Sequence, residues 1–123
     1  NNCLSLLHLN IRSLHRNLDS LTTLLKNLEL RFSFIGITET WLRDSSHHTD
    51  ISGYNFVHTP RKDRTDGGVQ VSVMFCTTEL FLLMTIFILN EHSLIFLQVT
   101  LQEIKNIIVG VVYRPPNQNC EIL

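Results

Sequence analysis

No alanine occurs anywhere in these 123 residues, and only 17% of them are charged. So little charge, beside 44% hydrophobic residues and a mean hydropathy of +0.12, excludes an intrinsically disordered chain, which could not bury enough apolar surface to offset its ordering entropy. An excess of one sign is lacking too. A net charge of −1 and a pI near 6.6 provide no general positive field for nucleic acid or an anionic membrane, so any such contact has to be local. Cys3, Cys76 and Cys120 stand far apart with no Cys-x-x-Cys spacing, which excludes a zinc knuckle and a dense disulfide framework. Asn-x-Ser/Thr acceptors are absent, and the first residues lack the charged head and small-residue cleavage site of a signal peptide, so an intracellular setting is expected. The longest apolar run, Leu80 to Leu89, would reach roughly 15 Å as a helix against the ~30 Å of a bilayer core, and no membrane partner is expected. The length suits one domain, and the start at Asn1 and the end at Leu123 read as an excerpt.

What is present alternates between strand and helix patterns. Cys3 to Leu9 reads as a strand, and Asn10-Ile-Arg-Ser13 as a turn. Ser13 is a plausible N-cap. After it, leucines at 14, 18, 21, 25 and 28 lie along one face of an amphipathic helix, a stripe for core packing rather than a zipper. Phe32 to Thr38 is a β-branched and aromatic strand that breaks off at Glu39-Thr-Trp-Leu42, followed by the polar stretch Arg43 to Asp50. Gly53 to His58 and Val69 to Phe75 read as strands flanking the charged, glycine-bearing turn from Pro60 to Gly68. Two further strands, Leu94–Val99 and Ile107–Tyr113, are joined by a polar turn from Gln102 to Asn106, and Arg114-Pro-Pro116 stops the second. Strand, helix and strand within the first forty or so residues predict an α/β class, whose sites gather where strands end.

Asn10, Glu39 and Tyr113 all fall at or just beyond the C-terminal ends of these strands. A carboxylate and an amide oxygen are hard ligands that suit magnesium, which keeps several waters. The plainer alternatives are a solvated acid for Glu39, a turn former for Asn10 and an edge-of-core aromatic for Tyr113. The pair His47-His48, between Asp44 and Asp50, fits a solvated loop better than a metal site.

Four words in order carry a family likeness: Leu9-Asn-Ile-Arg-Ser-Leu14, Ile35-Gly-Ile-Thr-Glu-Thr-Trp-Leu42, Gly53-Tyr with Arg64 and Gly67-Gly-Val69, and Val111-Val-Tyr-Arg-Pro-Pro116. Together they span nearly the whole of residues 1–123, and the chain resembles part of an endonuclease/exonuclease/phosphatase domain. The nearest branch is the endonuclease of non-LTR retrotransposons, related to apurinic/apyrimidinic endonucleases. The resemblance implies the N-terminal half of a four-layer α/β sandwich, with two packed, mainly antiparallel sheets flanked by helices. It implies Glu39 and Asn10 as ligands of magnesium or manganese, Asn10 and Tyr113 as catalytic residues, and Arg64 and Arg114 as phosphate contacts. DNA would be the substrate in the parent protein, a reverse transcriptase domain would lie C-terminal, and the setting would be nuclear. No small-molecule cofactor is implied.

Departures from the pattern set further expectations. The family's Asp-x-Asn pair and late Ser-Asp-His segment belong after the Tyr-Arg-Pro-Pro word, and residues 117–123 contain neither, so this chain alone should be inactive. None of the six histidines lies in a segment matching the family's histidine. Asp66 and Gln70 stand where the family usually has glycine, and Leu80–Leu89 is unusually apolar for a segment expected to cross the outside of a sheet. Half of a two-sheet sandwich would leave apolar faces and strand edges open. An alternative from another class is a non-catalytic α/β fragment or interaction module capped by a partner. A superfamily phosphoesterase acting on lipid or small phosphates fits less well.

Overall fold

A computed structural model describes residues 4–42, 51–58, 71–76, 81–89, 94–101 and 104–113. Strand β1 (Leu6–Asn10) leads through helix α1 (Leu14–Asn27) to β2 (Phe34–Thr38), and β3 (Tyr54–His58) and β4 (Val71–Cys76) follow. β5 (Phe81–Leu89), β6 (Leu94–Leu101) and β7 (Ile104–Val112) complete the described elements. The chain is mixed α/β.

Ser13 caps α1, its Oγ accepting from the Arg16 amide at 3.4 Å, and the leucine stripe then turns toward the sheet. Leu14 and Leu21 are buried, Leu18 and Leu25 pack beside them, and Leu28 falls at the C-cap, 38% exposed. Helix α1 thus buries its apolar face on the sheet it crosses, as the stripe predicts. β1 and β2 are parallel, the arrangement a crossover helix permits, with Leu6 opposite Phe34 and Asn10 opposite Thr38. β4 inserts antiparallel between β2 and β3, giving a first sheet ordered β1-β2-β4-β3. The second sheet, β5-β6-β7, is antiparallel throughout.

Period-2 alternation divides the first sheet's residues between two cores. Ile35, Ile37 and Met74 meet Leu14 and Leu21 of α1, with Leu42 and Ile51 closing that layer. From the opposite face, Phe34, Val73 and Phe75 pack against Ile95, Val99 and Val111 of the second sheet. The order of layers is helix, sheet, sheet. Gly36 makes the close approach between sheets feasible, since a Cβ there would lie 2.5 Å from Cγ2 of Val111.

The second sheet covers β2 and β4 but not the inner face of β1, where Leu6 is 63% exposed. An open cleft of about 430 Å3 remains, lined by Leu6, His8, Phe34, Val109 and Val111 among others.

Two expectations need correction. Leu80–Leu89 was expected to cross the outside of a sheet, whereas Phe81–Leu89 forms β5, antiparallel to β6 over nearly its whole length. Gln102–Asn106 was expected to be a turn, yet β7 already starts at Ile104. A strand with an outward face tolerates polar residues at alternate positions, and Asn106 is exposed there. The other strands differ from expectation only by a few residues at their ends. His47, His48, Cys3, Cys120, Arg64, Arg114 and the 60–68 turn lie outside the described residues. No helix among the described residues is long and apolar enough to cross a membrane.

Candidate active site

Parallel pairing of β1 and β2 brings their C-terminal ends to one edge of the first sheet, and the chain leaving each strand is tied to the other. The Ile11 amide donates to the Thr38 carbonyl at 3.1 Å, Ser13 to Glu39 at 2.8 Å and Leu14 to Thr40 at 2.8 Å. Asn17, one turn into α1, clamps this strap from the helix side. Its Nδ2 donates to the carbonyls of Ile11, Arg12 and Ser13 at 2.9, 3.1 and 3.3 Å. The strapped backbone is bent: Arg12, Ser13, Glu39 and Trp41 adopt φ values of 46°, 80°, 55° and 50°. Left-handed backbone costs a residue with a Cβ about 1–2 kcal/mol, so it persists only where surrounding contacts enforce it.

The result is a small polar cluster. Tyr113 follows β7, its ring packed at the margin of the inter-sheet core, and its Oη donates to Glu39 Oε1 across 3.4 Å. On the other carboxylate oxygen, Arg12 Nε stands 4.0 Å from Oε2, with the Arg12 side chain 81% exposed and that of Glu39 18%. A pair so open is worth little in stability. Partial burial, reinforced by the Glu39 charge and the hydrogen bond to it, raises the Tyr113 phenol above its ordinary pKa. The hydroxyl therefore stays protonated at neutral pH and is available as a hydrogen-bond donor.

Of the residues singled out from sequence, Glu39 and Tyr113 are in contact, and Asn10 is placed at the same edge by strand register, exposed at the end of β1 opposite Thr38. Arg64 and Arg114 lie outside the described residues. Sequence reasoning missed Arg12 as a neighbour of Glu39 and Asn17 as the clamp. Arg12 lay in plain view inside Leu9-Asn-Ile-Arg-Ser-Leu14, but only the strap hydrogen bonds show that it reaches Glu39.

Among the described residues no three His, Cys, Asp or Glu side chains gather as a metal cage. The available donors are one carboxylate and one amide oxygen, a set compatible with a hard cation that retains most of its waters. Compared with protein-family models and with curated proteins, the chain matches none.

Proposed function

We propose that this chain is the N-terminal half of a magnesium-dependent endonuclease/exonuclease/phosphatase domain of the non-LTR retrotransposon branch, inactive on its own. The observation carrying this reading is that three separate sequence words meet at one place. Asn10 and Arg12, Glu39, and Tyr113 come from three segments, with Glu39 and Tyr113 in contact across 74 positions. The helix, sheet, sheet order accounts for three layers of the four-layer sandwich in this reading. The outer face of the second sheet, where Ile108 and Val112 are exposed, would receive the fourth.

Glu39 and Asn10 would hold magnesium, manganese being an alternative. When bound, the metal would neutralise phosphate oxygens and make a coordinated water more acidic. Tyr113 would donate its phenolic proton in a hydrogen bond to a phosphoryl oxygen, steadying charge as the in-line displacement proceeds. Arg64 and Arg114 would grip flanking phosphates. The base belongs to the Asp-x-Asn and Ser-Asp-His segments that residues 1–123 do not contain. In the parent protein the substrate would be nuclear DNA, and the nick would leave a 3′-hydroxyl for a C-terminal reverse transcriptase domain.

The test is supercoiled plasmid in magnesium, assayed for nicking and for binding at low salt. Weak, salt-sensitive binding without cleavage is expected. Failure to bind at low salt refutes the nucleic-acid reading, and nicking that Glu39→Ala abolishes overturns the inactivity.

A second reading, an interaction module capped by a partner, is favoured by the open cleft and by exposed Leu6, Ile108 and Val112. Light scattering separates the two. A defined stoichiometric complex supports the module, and indefinite growth of mass with concentration supports an incomplete enzyme domain.

A further inference from the structure

We propose that Trp41 is a stacking platform for an unpaired DNA base lying beside the phosphate addressed by Tyr113 and Arg12, an inference that rests on the nuclease reading. Trp41 is the one tryptophan of the chain. Its neighbours Thr40 and Leu42 are 0% and 5% exposed, whereas Trp41 itself is 48% exposed. The backbone turns it outward at φ 50°, a conformation that is rare for a bulky side chain. A tryptophan wanted only for packing would gain more from turning inward with its neighbours.

The turn is fixed by the same strap that places Glu39. The Glu39 and Thr40 carbonyls accept from the Ser13 and Leu14 amides at 2.8 Å each, so Trp41 follows directly from two anchored peptides. The exposed guanidinium of Arg12 and the phenol of Tyr113 thus meet at Glu39, and the half-open indole follows two residues later in the chain. Phosphate-seeking donors beside an aromatic face are the combination that binds single-stranded nucleic acid. The donors track the backbone, and the ring stacks on whichever base is free of its own stack. A base held in a duplex has both faces covered, so the platform selects strands with an unpaired base next to the phosphate.

Because Trp41 is the sole tryptophan, its intrinsic fluorescence reports on it alone. The unaltered chain is titrated in magnesium at low salt with a short oligodeoxythymidine and with an equally long strand of abasic spacers, which carries the same phosphates without bases. Anisotropy of a label on each strand measures binding. The expected result is fluorescence quenching by the oligodeoxythymidine only, with binding about tenfold tighter than to the spacer strand. Trp41→Ala should erase that difference and Trp41→Phe should keep most of it. Equal binding of both strands with unchanged fluorescence overturns the stacking role while leaving the phosphate reading intact. Tighter binding of the base-bearing strand without quenching also overturns it, since stacking would then lie elsewhere. If neither strand binds, both the platform and the nuclease reading fail.

Discussion

Replacing Gly36 with alanine should loosen the contact between the two sheets and, through it, the candidate site. The added methyl would stand 2.5 Å from Cγ2 of Val111 and 3.5 Å from its Cγ1. Carbon atoms rest at about 3.5–4.0 Å, so one partner must retreat by roughly 1 Å. Val111 has little room to do so. It is β-branched and stiff at χ1, buried among Phe34, Val73 and Ile95, and its backbone is paired with Ile95 in the second sheet. Overpacking of this kind costs about 1–3 kcal/mol. Removing a flexible glycine from a strand returns about 0.5–1 kcal/mol. The net loss should be about 1–2 kcal/mol, read as a lower urea midpoint with an unchanged m-value. Val111→Ala in the same chain should rescue much of that loss, giving a coupling of about 1 kcal/mol or more in a double-mutant cycle. Tyr113 lies two residues beyond Val111, so Gly36→Ala should also weaken the Tyr113–Glu39 contact and lower the phenol pKa. An unchanged or higher midpoint, or strictly additive mutations, would refute the close sheet approach.

Asn17→Leu removes the donor shared by three strap carbonyls and should cost about 1–3 kcal/mol in urea denaturation, with an unchanged midpoint counting against the clamp. Ser72 is fully buried and its hydroxyl has no hydrogen-bond partner among the described residues, so Ser72→Ala should raise stability by about 1 kcal/mol; a loss would show that the hydroxyl is engaged. Tyrosinate absorbance should show both tyrosines of the folded chain titrating above the ordinary value of about 10, Tyr54 chiefly through burial with Cys76 adding, and Tyr113 through burial with Glu39 adding. Since the folded-state values are raised, the associated stability is whole below about pH 10 and is lost as pH rises through the folded-state values. Glu39→Gln should bring the Tyr113 titration down, and indifference to that change would contradict the contact.

Local pattern made much of this fold legible. Steps of three and four between Leu14 and Leu25 foretell both the helix and the face it buries, because burial on one face leaves a period in the sequence. The Val-x-Val-x-Phe alternation of Val71 to Phe75 suggests a half-buried strand, yet residues 72–76 are buried on both faces, Val73 and Phe75 in one core and Met74 in the other. Asn106 misled because polarity alone cannot tell a turn from an outward position of a strand. Strand order was beyond reach, as β4 passes between β2 and β3 for reasons of three-dimensional packing. At the site, Glu39 and Tyr113 could be picked out by where strands stop. Their meeting could not, nor could Arg12 beside Glu39, since both depend on left-handed backbone at ordinary residues that carry no glycine to announce it.

The uncovered inner face of β1 has a thermal consequence. Leu6, Phe34, Val73, Val109 and Val111 give the seam an oily wall, and His8 is the one titratable residue among the described residues lining it. Whatever seats there, a further stretch of polypeptide or another copy, would do so with a negative heat-capacity change. Apolar attraction fades on cooling, so association through this seam should be weakest in the cold and tighten on warming toward room temperature.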